Sequence, residues 1–402
     1  MIELKDKISI KEQNTLLNKC VMQGLNLSDE LQKLGLTYEH LRYRDYRTTG
    51  NSSQNGEYKN IEDLKKTSKS LPAISFFSGA GGLDIGFEYA GFTNLASIEI
   101  SELFCDTLRK NFPNQLIVGP PEYSGNVKER DVIADILRKK LNLNSHFEGV
   151  FHGGPPCQPF SIAANQRFSK EDENFKRKGF SDTEKGNLLD DYIWFIMEFK
   201  PRVFIFENVP GLYEIDNGKG LNEALKKLSK IGYNIAKPQI VNAADYGIPQ
   251  KRLRLIVIGT RENDTFIFPQ VEIFQTPCLK VFDKSIENIE NHLTREHTAQ
   301  SILRYMQLDY GRRDHLGRVD RLNPYLPSKT VIAGGTKGGG RSHLHPYSPR
   351  TLSVRECARL QTFPDNYIFT GSSARQFTQV GNAVPPLLGF KIASQIQSQY
   401  FN

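Results

Sequence analysis

A chain of 402 residues, 38% of them hydrophobic and 24% charged, carries enough apolar material for one large folded domain and a smaller companion. No apolar run approaches the roughly 18 residues that a membrane span requires, and Met1–Glu3 opens no signal-peptide pattern, so a soluble, cytoplasmic protein is expected. The net charge of +7 points to an anionic partner.

Residues 1–70 are polar and hold no dense apolar pattern. Within them Asn14–Leu36 reads as one or two short helices and Thr48–Tyr58 (TTGNSSQNGEY) as a loop or linker. This segment reads as an extension of the main domain with no legible role. From Leu71 the texture changes. Ala73–Phe77, Leu95–Glu99, Gly149–His152, Val203–Glu207 and Leu253–Thr260 are apolar, β-branched or aromatic runs of strand length. Between them, Leu83–Ala90, Glu102–Phe112, Asp131–Leu141, Asp190–Lys200 and Gly220–Ile231 have helical periodicity. That alternation predicts an α/β fold over residues 71–261, with a mostly parallel, doubly wound sheet covered by helices on both faces. Ligands bind such sheets beyond the carboxyl ends of the strands.

After Thr260 the pattern breaks up, and residues 262–345, rich in Gly, Pro, His and Arg, read as a small, loop-rich second domain. Between Ser301 and His345 eight Lys/Arg face three acids, a local excess that suits a phosphate backbone. Residues 346–402 read as a return to the main domain. Ser353 and Glu356 form a capping-box pattern opening a helix over Val354–Leu360, and Pro385–Gln397 reads as a final helix with proline near its start.

Four motifs carry chemistry, each at a predicted strand end. Phe77-Ser78-Gly79-Ala80-Gly81-Gly82 places glycines at a strand-to-helix turn, where backbone can approach a ligand. Asp84 stands where a dinucleotide fingerprint needs its third glycine. Phe77 can stack on an adenine, and Glu99, ending the next strand, can accept ribose hydroxyls; together they suggest an adenosine-type cofactor. Gly153-Gly154-Pro155-Pro156-Cys157-Gln158-Pro159 surrounds a cysteine with two Gly and three Pro. Such a rigid loop suits an oriented thiolate nucleophile. The other four cysteines (Cys20, Cys105, Cys278, Cys357) are scattered, form no C-x-x-C pair, and read as small buried hydrophobes. Glu207, in Phe206-Glu207-Asn208-Val209, is a carboxylate suited to general-acid work. Arg254 alternates with Leu253 and Leu255 on a strand, where a guanidinium can grip a carbonyl or phosphate oxygen.

With these blocks in order, the chain resembles the bacterial DNA (cytosine-5-)-methyltransferases of type II restriction-modification systems. The resemblance runs through Phe77–Gly82, Gly153–Ser161, Glu207–Val209, Gln250–Arg254, Arg355–Asp365 and Gln379–Pro386. It implies that Cys157 attacks C6 of a flipped-out cytosine, that Glu207 assists at N3, that Arg254 holds O2, and that no metal takes part. It assigns Phe77, Gly79, Gly81, Gly82, Glu99, Ile100, Pro156, Leu188, Asn382 and Val384 to S-adenosyl-L-methionine. The residue that meets the adenine amine is either Asn126 or Asp131, with Asn126 preferred. Ser75 replaces the acid that often opens the first block. Target recognition falls to 262–345, with Gln158, Ser161, Arg312, Arg313, Arg318 and Arg321 as DNA contacts. The expected partners are double-stranded DNA, bound by a monomer, and a separate cognate restriction endonuclease; the expected location is the cytoplasm, at the nucleoid. An RNA cytosine-5 methyltransferase, a silent nucleic-acid-binding module, and a cysteine hydrolase using His152 are the competing readings.

Overall fold

The computed structural model describes residues 7–44, 57–156, 188–214, 218–283, 286, 288–333 and 343–401. Cys157, Gln158 and Ser161 lie outside them. The helices named below are, in chain order, α1 (Ile10–Gln23), α2 (Leu27–Lys33), α3 (Gly82–Tyr89), α4 (Glu102–Asn111), α5 (Arg130–Leu141) and α6 (Leu188–Phe199). They continue with α7 (Lys219–Lys230), α8 (Ala299–Tyr305), α9 (Val354–Leu360), α10 (Ser373–Asn382) and α11 (Pro386–Tyr400). No described helix is long and apolar enough to cross a membrane. The chain divides into two compact units. One comprises residues 61–246, 252–271 and 383–402, and the other 1–60, 247–251 and 272–382.

The first unit is built on β1 (Leu71–Phe76), β2 (Phe92–Ile98), β3 (Leu116–Val118), β4 (Val150–Gly153), β5 (Val203–Asn208), β6 (Asn234–Ile235), β7 (Gln239–Asn242) and β8 (Leu253–Thr260). Their order is β3-β2-β1-β4-β5-β8-β6, with β7 also paired to β8. The first five strands are parallel, while β8 runs antiparallel to β5, β6 and β7. The expected mostly parallel α/β sheet is therefore present, and β3, β6 and β7 are too short to have left a pattern in the sequence. Strand alternation sorts the two faces. Phe76 packs on Phe151, Tyr192 and Phe195, in a core shared with α5, α6 and α7. Its neighbour Ser75 instead reaches Asp84 of α3. Helix α11 lies against α3 so closely that a Cβ on Gly86 would come within 2.5 Å of the Phe390 amide, and one on Gly82 within 2.1 Å of the Val384 carbonyl. Glycine is required there for contact, since neither position adopts a left-handed backbone.

The second unit departs from the expected boundaries in two ways. Residues 346–382, expected to rejoin the sheet domain, belong to this unit, and only residues from 383 onward return. The reason lies in buried charge. Arg355 donates to the carbonyls of Pro364 and Glu290, Arg359 grips Asp365 with two bonds of 2.8 Å, and Arg350 pairs with Glu356 and Glu39. The Arg355–Asp365 block thus organises a loop-rich core in place of sheet. Second, the N-terminal residues are not an appendage. Leu16, Leu17, Leu27, Leu31, Leu41 and Tyr43 form one apolar core with Ile302, Tyr305, Met306, Val319 and Leu344. The capping boxes at Ser9 and Ser353 close the starts of α1 and α9, the latter as predicted.

Candidate active site

In the first unit the motifs converge on the carboxyl ends of the parallel strands. After β1 the chain turns through Phe77, Gly79 and Gly81, all with positive φ (52°, 54° and 71°). Glycine adopts this geometry freely, whereas at Phe77 it is strained. The strain is held by Glu99 at the end of β2. Its buried carboxylate accepts the Gly79 and Ser101 amides, both at 2.8 Å. Burial pushes the Glu99 carboxyl above its ordinary range. Two amides leave the remaining carboxylate lone pairs for further donors such as ribose hydroxyls. Beside Glu99, Gly119 and Gly125 pass so close that a Cβ would sit 2.2 and 2.0 Å from its carbonyl oxygen. This brings Asn126 up to the same strand end, where its Oδ1 caps the Lys128 amide. Asp131, by contrast, is exposed in the first turn of α5. Ile100 is 61% exposed and offers an apolar surface next to Glu99. Phe77 is half-buried, edge-on to Tyr192. Leu188 begins α6, Pro156 closes the described part of the β4 loop, and Val384 backs onto Gly82. Asn382 is the exposed last residue of α10, in the second unit. The close-packed glycines, the buried acceptor at Glu99 and the adjoining apolar surface fit an adenosyl group.

Ser75 bonds a buried carboxylate of α3. Asp84 is fully buried and accepts the hydroxyls of Ser75 at 3.0 Å and Ser97 at 2.6 Å. Burial holds its carboxyl up at about 6. Because this folded value exceeds the unfolded one, the folded chain binds the extra proton between about pH 4 and pH 6, and stability falls as pH rises through that window. Above it, the ionised carboxylate costs up to about 3 kcal/mol. Asp84→Asn is therefore expected to gain melting temperature over the parent progressively from pH 4 to pH 6, with a constant gain above. Thermal unfolding across that range checks this; a gain that does not change with pH would contradict it.

On the other side of β1, the catalytic candidates meet across the β5–β8 pair. Glu207 is opposite Ile256, and Arg254 lies two residues along on the same face. Diagonal neighbours of that kind are within side-chain reach. Arg254 Nε pairs with Glu207 Oε1, both side chains being largely buried, and Arg254 also donates to the Leu253 carbonyl at 2.7 Å. A Cβ on Gly154 would lie 3.4 Å from Glu207 Oε2, so the carboxylate stands over the loop that leads to Cys157. Asn208, which the sequence reading passed over, ties this loop down: its Nδ2 donates to the Pro155 carbonyl at 3.3 Å and its Oδ1 accepts the Val209 amide. A small amide at a strand end beside a Gly-Pro loop was the available signal. Asn208→Ala is expected to lower kcat about tenfold to a hundredfold by loosening that loop, with cofactor affinity unchanged; steady-state kinetics beside cofactor titration checks it.

The described cysteines Cys20, Cys105, Cys278 and Cys357 are all buried. Burial pushes the Cys105 thiol up to about 12, the wrong direction for a nucleophile. His152 is held in the core, stacked on Phe87 with 4.2 Å between ring centroids and bonded through Nε2 to Asn94. Burial lowers it to about 3, which leaves it a poor base for a hydrolase.

The proposed DNA contacts separate in the second unit. Arg312 and Arg318 are exposed, and Arg313 is partly engaged by Asp320. Arg321 has to be withdrawn. It is buried, donates to the carbonyls of Pro346 and Leu308, and stacks on Tyr43 and Tyr310.

An α/β sheet with a glycine turn and an acidic strand end on one side of β1, and a Glu–Arg pair beside the Gly154 backbone on the other, defines a class of methyltransferase. The comparisons give the family. Residues 71–398 match the model of the C-5 cytosine-specific DNA methylases. Type II methyltransferase M1.HphI of Haemophilus parahaemolyticus is 32% identical over 81% of this chain and 87% of its own. M.Sau96I of Staphylococcus aureus is 28% identical over 96% of this chain and 84% of its own. Among solved structures, a prophage-encoded E. coli protein described as a DNA modification methyltransferase superposes with a TM-score of 0.67 at 23% identity, covering 83% of this chain and all of that one. The Entamoeba histolytica methyltransferase EhMeth follows at 0.57 and 19%, covering 82% and 98%. The chain belongs to the C-5 cytosine-specific DNA methylases, S-adenosylmethionine-dependent enzymes that methylate carbon 5 of cytosine in DNA.

Proposed function

We propose that Cys157, Glu207 and Arg254 carry the reaction on a single cytosine flipped out of duplex DNA. The Glu207–Arg254 pair over the Gly154 loop is the observation that supports this reading best. The Cys157 thiolate adds to C6, which makes C5 nucleophilic. The cytosine O2 competes for the Arg254 guanidinium and so frees Glu207 to hold a proton at N3. Phe77, Glu99, Ile100 and Asn126 would hold S-adenosylmethionine, whose sulfonium would supply an electrophilic methyl group for C5 and be released as S-adenosylhomocysteine when the methyl–sulfur bond breaks. Transfer of the C5 proton to solvent water then lets the C5–H electron pair form the C5=C6 bond, which expels the Cys157 thiolate and leaves 5-methylcytosine. Flipping is required because C6 is inaccessible inside the stack.

The relatives named as Type II methyltransferases support a role as the modification half of a restriction-modification system; the monomer and the separate nuclease are part of this proposal. A duplex whose target cytosines carry fluorine at C5 tests the covalent route, since fluorine cannot leave as a proton. With cofactor present, the protein should form a denaturation-resistant adduct with that duplex, and Cys157→Ala should form none. Adduct formation by the alanine variant would place the nucleophile elsewhere.

A further inference from the structure

The second unit holds a hairpin whose base packs on the N-terminal segment. The hairpin pairs Arg313–Asp314 with Val319–Asp320, and the pairing continues where the Arg321 amide donates to the Arg312 carbonyl and the Gly311 amide to the Arg321 carbonyl. Asp314 tightens the turn by accepting the Gly317 amide at 2.6 Å while pairing with Arg304 of α8. At the tip, Leu316 is 76% exposed, and among the described residues the guanidinium groups of Arg312 and Arg318 have no acid partner. A stiff hairpin with an apolar tip between two open cations suits insertion into a DNA groove, with cations on phosphates or guanines and leucine against a base step.

The returning strand of this hairpin is gripped by the N-terminal segment. Val319 is buried against the core that α1 and α2 build. The guanidinium of Arg321 lies 3.6 Å from the ring centre of Tyr43 and 4.1 Å from that of Tyr310. Tyr43 is itself fixed through its neighbour Arg42, whose amide and carbonyl are both bonded by the buried side chain of Gln13 in α1. The chain therefore runs from α1 through Tyr43 to Arg321 and into the hairpin.

We infer that the N-terminal segment is half of the target reader, and that Tyr43 sets DNA-site selectivity as a positioning residue by clamping Arg321 at the base of the hairpin. This rests on the reading of the unit as DNA-binding. In Tyr43→Leu the apolar bulk stays but the π-face is lost, and a desolvated cation–π contact is worth about a tenfold effect or more. The variant is expected to raise KM for DNA about tenfold and to methylate near-cognate sites relatively faster, with kcat at saturating DNA and cofactor affinity unchanged. Tyr43→Phe, which keeps the ring, should behave as the parent. A double variant at the tip, Leu316→Gly with Arg318→Ala, should show the same KM rise without touching the clamp. If the tip variant shifts KM and Tyr43→Leu does not, the clamp is wrong and the DNA reading stands. If the tip variant leaves KM and site preference unchanged, the hairpin is not the reader and the inference falls with it. A Tyr43→Leu protein that only melts earlier, with parental KM and selectivity, would reduce the segment to a scaffold and overturn the inference.

Discussion

Replacing Cys157 with alanine is expected to remove methyl transfer entirely, a loss of at least about four orders of magnitude in kcat, as when other covalent enzymes lose their nucleophile. Cytosine C5 is too electron-poor to attack a methyl donor until a nucleophile adds at C6, and no other thiol qualifies. The remaining four cysteines are buried, and at Cys105 the thiol is pushed toward its neutral form. The described residues just before Cys157 are held by partners other than its thiol. Gly153 packs on the Phe76 carbonyl and Pro155 is tied to Asn208, so melting temperature and DNA affinity should stay close to the parent's. Single-turnover transfer from labelled cofactor, paired with a DNA-binding titration, checks both halves. Appreciable turnover by the variant would remove Cys157 from the mechanism.

Glu207→Gln is the second large effect. The amide is nearly isosteric and can still donate toward N3, but it cannot hold a transferable proton there. It also removes the charge that Arg254 pairs with in a largely buried position. Loss of a general acid typically costs about 10²–10⁴ in rate. The expected result is a fall of that size in kcat, with the cofactor dissociation constant within about twofold of the parent, since the Glu99 shelf is built by different strands. A parallel collapse of cofactor binding would mean that Glu207 shapes the fold rather than the chemistry.

The sheet was legible because its strands are buried on both faces. Continuous runs such as Val203–Phe206 and Leu255–Ile258 leave no other placement. The glycine turn was legible for a different reason: its backbone must approach a ligand, and that requirement is written in residue type. What escaped were long-range partners. Nothing in the sequence ties Asp84 to Ser75 and Ser97, or Gln13 to Arg42, because those contacts form only when helices dock. Arg321 was misread for the same cause. An arginine in a basic stretch looks open until the tyrosines and carbonyls that consume it, one of them from the N-terminal segment, are brought alongside. The placement of 346–382 also failed at this point, since the buried Arg350, Arg355 and Arg359 carry no hydrophobic periodicity to announce a core.

The central claim is methylation of cytosine in DNA through this site. The direct measurement is incubation with methyl-labelled S-adenosylmethionine and either unmethylated bacterial DNA or RNA, followed by base analysis of each product. Label confined to 5-methylcytosine from DNA is the predicted result, whereas label in RNA alone, or in another base, would contradict it.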